Sequence, residues 1–144
     1  MSGALRALAD DAARVVPGLC GRVVAADAAY PPWHATAQLA SVQRYWARNH
    51  PEAGPHYAAL RGWGLLVWQP IYLAVIAAHV SAARLDLDRL SLVVNDGSVE
   101  AYRLSEHDDV DAPIDEAAPL HASTRQLAAG IAGLLPRWQA HAPL

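Results

Sequence analysis

Apolar positions along the chain fall into four helical stretches and one pair of alternating runs. Residues 3 to 15 set Leu5, Leu8, Ala12 and Val15 on one side of a short helix. "VVPGLCG" stops it at Pro17 and Gly18. "AAYPPWHA" cannot continue a helix through Pro31 and Pro32, and leads into a second one from about Ala35 to Arg48, with Leu39, Val42 and Tyr45 or Trp46 at three-to-four spacing. "NHPEAGPHY" reads as a turn. A long apolar helix from about Tyr57 to Leu85 follows it. "LSLVV" and "SVEAYRL" alternate as strands do, and Asp96-Gly97 between them is hairpin-turn chemistry. After the acidic loop "SEHDDVDAPIDEAAP" a last helix spans about 116 to 138, with Leu120, Thr124, Leu127, Ile131, Leu134 and Trp138 in register. This order predicts one mainly α domain of α+β type over residues 1–144, in which a hairpin packs against a long central helix interrupted by a proline.

The central stretch "LRGWGLLVWQPIYLAVIAAHV" carries most of the information. Gly62 to Val80 is 19 residues, close to the length of a membrane span, with Arg61 and Arg84 at its flanks. Gln69, Pro70 and His79 inside it argue against lipid, because Pro70 frees a backbone carbonyl one turn earlier and Gln69 needs a partner. The favoured expectation is therefore a core helix, apolar all round and buried on most sides, with no integral span. Pro70 would bend the helix or separate two shorter helices at Gln69, and either break would bring Trp68, Gln69 and Tyr72 together, with Trp68 and Tyr72 four apart on one face. They would line an aromatic recess with polar tips, or else be a satisfied amide beside two core aromatics. His79 is a candidate axial ligand or proton carrier, set against the ordinary reading of a hydrogen-bonded core histidine.

Composition narrows the function. The chain has 144 residues, enough for one domain with a core, and at 53% apolar and 17% charged it folds rather than staying disordered. Its net charge is -3, and all 11 basic residues are arginines in no cluster, so nucleic acid binding has no footing. With a single cysteine, Cys20, no internal disulfide, structural zinc site or iron-sulfur cluster can form on this chain alone, and Cys20 is expected as a small buried residue. "MSGALRALADDAARVV" lacks the apolar run of a secretory leader, so a cytoplasmic setting is the default. His50, Glu52 and His56 span two prolines without zinc spacing, His34 stands alone, and His107, Asp108, Asp109 and Asp111 lack the glycine and spacing of a calcium loop. No G-x-S-x-G, phosphate loop or dinucleotide fingerprint is present.

One resemblance adds to this. "RYWARNHPEAGPHYAALRGWGLLVWQPIYLAVIAAHV" with "SLVVNDGSVEAYRL" after it resembles the front half of the FhuF-like ferric-siderophore reductases, across roughly residues 35 to 138. The matching pieces are Tyr45-Trp46, Trp63 to Leu66, and Trp68 through Tyr72. The resemblance implies an oxidoreductase system that reduces siderophore-held iron, with Trp68, Gln69 and Tyr72 as the siderophore-facing wall. Arg44, Arg48, Arg61 and Arg103 would meet an anionic chelate, Arg61 first among them. Members of that family carry a [2Fe-2S] cluster on cysteines near the C-terminus, whereas this chain ends in "LLPRWQAHAPL" without them. Any such cluster is therefore expected on a partner chain, with none bound here. Three arrangements fit: half of a split reductase, a member that only binds a ferric chelate, or a fragment with an uncovered apolar surface. The rival readings are a non-enzymatic helical interaction domain, paired as a homodimer, and a heme or other cofactor module using His79.

Overall fold

The structure is a computed structural model and describes residues 3–80, 85–107 and 118–141. Helix α1 (Gly3–Val15) buries Leu5, Leu8 and Ala12 of the face its spacing predicts, while Val15 at its end is exposed. Pro17 and Gly18 end it, and the chain then enters a short strand β1 (Gly21–Val24) to which the sequence pattern assigned no element. Helix α2 (Thr36–Asn49) buries Leu39, Ala40, Val42 and Gln43. A 3-10 turn over Pro51–Ala53 leads into the central helix α3 (Gly54–His79), which begins three residues earlier than Tyr57. Its expected continuation to Leu85 runs into positions 81–84, outside the described residues. The hairpin strands β2 (Leu90–Asn95) and β3 (Ser98–Ser105) match their alternating runs. They meet in a two-residue turn, with Asp96 in the left-handed region at φ 52°. Helix α4 (Ala118–His141) closes the chain. It buries Ser123, Gly130 and Leu134, while Leu120 and Trp138 lie outside the residues whose side chains are described.

The sheet has three strands in the order β1-β3-β2: β3 pairs antiparallel with β2 and parallel with β1. Its inner face presents Leu90, Leu92, Tyr102 and Leu104 to the helices, and all four are buried. The outer face carries Arg22, Arg103 and Ser91, side by side in the register, and the segment 25–35 crosses it on the way to α2. That segment is pinned at the far edge, where the Trp33 amide donates to the Leu90 carbonyl at 2.9 Å. Trp33 itself drops into the core over Gly130 of α4, where no side chain would fit beneath its ring.

Two close approaches lock α2 to its neighbours. Gly62 lets α3 lie against α2, since a Cβ there would sit 2.6 Å from Gln43 Cγ, and the Gln43 amide donates to the Ala59 carbonyl at 3.3 Å. The hairpin turn docks on the other side: Trp46 Nε1 donates to the Gly97 carbonyl at 2.7 Å while the Tyr45 ring occupies the space a Gly97 side chain would need. The approach to β2 is held by a short relay. Gln126 of α4 accepts from the Leu87 amide at 2.9 Å and donates to Asp86 at 2.7 Å. His107 Nε2 accepts from the Asp86 amide, which fixes the proton on Nδ1, from where it donates to the Ser105 carbonyl at 2.9 Å. His107 therefore serves the fold here; Asp108, Asp109 and Asp111 lie outside the described residues.

Three expectations change. Cys20 is exposed rather than buried, because it precedes a strand at the sheet edge and its neighbour Leu19 takes the inward position. Of the two outcomes expected at Pro70, two shorter helices separated at Gln69 is excluded: one long helix carries the proline in its interior. The carbonyl of Leu66 forgoes a helical N–H, but Pro70 is itself buried, and packing on that side holds the two halves together. Finally, α3 is not buried on most sides. Only one arc of it is covered, as described below.

Burial raises the pKa of the Tyr102 hydroxyl from 10.0 to about 12, helped by the nearby Cys20 and Asp10. The side chain is 1% exposed and its hydroxyl has no partner among the described residues. Between those two pH values the unfolded tyrosine loses a proton that the folded one keeps, so stability falls as pH rises from 10 towards 12 and levels off beyond. The full loss is about 3 kcal/mol. Urea denaturation of Tyr102→Phe should show a shallower alkaline decline than wild type, while the two chains stay within about 1 kcal/mol of each other at neutral pH. An identical alkaline slope in both would contradict the assignment.

Candidate functional site: the exposed face of the central helix

A helix turns by 100° per residue, so residues three and four apart share a face. On α3, positions 58, 59, 62, 66, 69, 70, 73, 74, 76 and 77 form the buried arc. The opposite arc carries Tyr57, Leu60, Arg61, Gly64, Ile71, Tyr72, Val75 and His79, all exposed, with Trp68 half-buried among them. It extends roughly 33 Å along the helix axis. Leu60 is 61% and Tyr72 48% exposed, large values for such side chains in the middle of a helix. α3 is long and apolar enough to cross a membrane by length and composition, and half of that stretch is buried inside the molecule.

Two aromatic groups sit on this face. Trp68 and Tyr72 meet edge to face, centroids 5.9 Å apart at 75°, and the tip of the Trp68 ring rests beside Gly18 in the connection after α1. Two and three turns from Trp68 towards the N-terminus lie Arg61 and Tyr57, both against Trp46 of α2. The Arg61 guanidinium carbon is 5.0 Å from the Trp46 ring centroid, and the Tyr57 ring is 6.1 Å away at 74°. His50 stacks on the same indole at 4.9 Å and 24° and pairs with Glu52 at 3.3 Å. Trp46 thus fixes the direction of Arg61, a cation over an aromatic face. The sequence reading had Arg61 but not its platform; the signal available was the Tyr45-Trp46 pair.

The structure places four of the five expected residues, Arg61, Trp68, Tyr72 and His79, on the exposed arc. Arg61 and Trp68 stand two turns apart, roughly 10 Å along the axis. Gln69 turns away from them. It is 0% exposed, its Nε2 donates to the Val99 carbonyl of β3 at 3.4 Å, and its Oε1 has no partner among the described residues. Its position, one residue on from Trp68, rotates it by 100° into the core, so it ties the hairpin to α3 rather than facing a ligand. His79 is exposed in the last turn of α3, seven residues beyond Tyr72, and not enclosed in the core. The other arginines do not converge: Arg103 stacks on Tyr30 across the sheet, 4.0 Å from ring centroid to guanidinium carbon, and Arg44 and Arg48 are exposed on α2.

Among the described residues no group of three or more His, Cys, Asp or Glu side chains is placed to hold a metal ion. α3 has no acidic residue, and Arg61 is its one arginine, so the exposed face is apolar with a single fixed positive charge. Such a surface suits a flat, partly apolar, anionic molecule or another apolar helix. No family model matches the chain, and no curated protein or solved structure matches it either.

Because the Gln69 amide makes one long hydrogen bond and leaves its oxygen unanswered, Gln69→Leu should change stability by less than about 1 kcal/mol. Gln69→Ala, which leaves a hole, should cost about 2–4 kcal/mol. Thermal denaturation of the two variants separates a packing role from an essential polar one. A larger loss in the Leu variant than in the Ala variant would reverse this account.

Proposed function

We propose that the chain recognises a ferric siderophore within a reductase-like iron-release system, through the exposed face of α3. The observation that carries this reading is the Trp68–Tyr72 pair, an edge-to-face aromatic surface open to solvent on the same arc as Arg61. The resemblance of "WQPIY" and its surroundings to the FhuF-like reductases supports it. Trp68 and Tyr72 would pack on the organic scaffold of the chelate, and Arg61, aimed by Trp46, would attract its negative charge. The electron that takes iron(III) to iron(II) would come from a reduced [2Fe-2S] cluster on a partner chain, since one cysteine cannot hold such a cluster here. Iron(II) is held less tightly by hard oxygen donors and leaves the chelate.

A second reading is favoured by the continuity of the exposed arc. Apolar side chains run its whole length, which is the surface of an interaction domain that covers α3 with a second copy of itself. Gly64 and Tyr72 lie equally far on either side of Trp68. An antiparallel pairing centred there would set each Tyr72 ring over the other copy's Gly64, where nothing stands within 4 Å of a built Cβ.

Titration of ferric hydroxamates and ferric catecholates, followed by tryptophan fluorescence, tests the first reading. Saturable quenching is expected for at least one class, weakened about tenfold in Tyr72→Ala and in Arg61→Ala. Absence of quenching by every chelate removes the reading, and unchanged affinity in both variants moves the site off α3. Sedimentation equilibrium tests the second. A dimer that dissociates in Leu60→Asp and Val75→Asp supports it, and a monomer at high concentration rules it out.

A further inference from the structure

On the far side of the sheet from α3, the segment 25–35 arches over the outer face and encloses a cleft of about 330 Å³. Ser91 and Ser105 line the sheet side, Tyr30 and Pro32 the arch, and Asp88 and Arg89 the mouth. This volume lies at the small end of the range for ligand sites. Ser91 is 4% exposed, and its hydroxyl has no hydrogen-bond partner among the described residues. Arg103 is its cross-strand neighbour in the register, so the two side chains leave the sheet on the same face. The Arg103 Nε is likewise buried without a partner, and its guanidinium lies under the Tyr30 ring.

Two buried polar atoms side by side without partners are costly unless something answers them. Their chemistry says what that is. An arginine N–H only donates, and a hydroxyl beside a guanidinium is best used as a donor too. Both ask for an acceptor, and the positive charge favours an anionic one over a neutral carbonyl. We propose that this cleft binds a small organic oxyanion, a carboxylate or a phosphate ester of a few carbons, held by Ser91, which lines it, and by Arg103, which lies behind the Tyr30 ring of its wall. Arg89 at the mouth adds a second cation on the approach, and Ser105 a second hydroxyl. Asp88 repels a second anionic group at that end and accepts from a ligand hydroxyl or ammonium, so the ligand enters oxyanion first. Tyr30 is 41% exposed, and an acceptor reaches the guanidinium by displacing this surface ring and no core side chain. The site is independent of the α3 face.

Lactate, a hydroxylated monocarboxylate, and inorganic phosphate, each titrated against sodium chloride of equal ionic strength, are the probes, with thermal unfolding and calorimetry as readouts. A saturable rise in Tm with at least one of them is expected. Binding should weaken about tenfold or more in Ser91→Ala and in Arg103→Met, as loss of a charge-assisted hydrogen bond predicts. Tyr72→Ala should bind as wild type does, which separates this site from the siderophore reading. Response to lactate alone identifies a carboxylate ligand, and response to phosphate alone a phosphate ester. No saturable effect of either anion beyond that of chloride overturns the proposal, as does unchanged affinity in Ser91→Ala. That substitution removes one oxygen from a small side chain and keeps the test valid if Arg103→Met does not fold.

Discussion

Everything else in this fold depends on which side of α3 is buried. The helix offers an apolar surface all round, and hydrophobicity alone does not choose between its faces. The choice is made by size. The covered arc carries Ala58, Ala59, Gly62, Ala74 and Ala77 between the larger Leu66, Leu73 and Ile76, so neighbouring backbones come close. Gly62 admits Gln43 of α2, and Gln69 reaches the hairpin. The bulkier Leu60, Ile71, Tyr72 and Val75 are left on the outside. Close packing on the small-residue side gains more contact per unit area than a looser fit on the bulky side.

The helices and the hairpin were legible in the sequence because each rests on a local signal. Three-to-four spacing marks α1 and α2, and alternation around Asp96-Gly97 marks β2 and β3. β1 was not legible. It is four residues long, and its pairing with β3 joins segments far apart in the sequence. The half-exposure of α3 was hidden for a different reason. A helix without a polar side has no periodic contrast to read, so burial on one arc is visible only once the partners are in place. For the candidate site, the type of residue was legible and the direction was not. Trp68 and Tyr72 are placed together by simple spacing, but Gln69 was grouped with them by adjacency, and adjacency on a helix means a different face. The Ser91–Arg103 pairing depends on strand register and had no local signature at all.

The molecule therefore has two distinct surfaces of interest. The α3 face is long, convex and apolar, with one directed cation. The cleft under segment 25–35 is small, concave and polar. They lie on opposite sides of the inner layer formed by Leu92, Tyr102 and Leu104, which is packed against the helices. A large planar chelate or a helix suits the first, and only a small molecule fits the second.

The parallel pairing of β1 with β3 has an implication for how the chain reaches this state. β3 forms a hairpin with β2 through a two-residue turn, a fast local event. Its other edge is closed only by Gly21–Val24, a segment far away along the sequence. Without that segment in place, Tyr102 and its neighbours present bare amides and carbonyls, an invitation to pair with another copy in a crowded solution. Gly21–Val24 thus serves as an edge cover for the hairpin: one side of β3 is closed by its sequence neighbour, the other only by a distant piece of the chain.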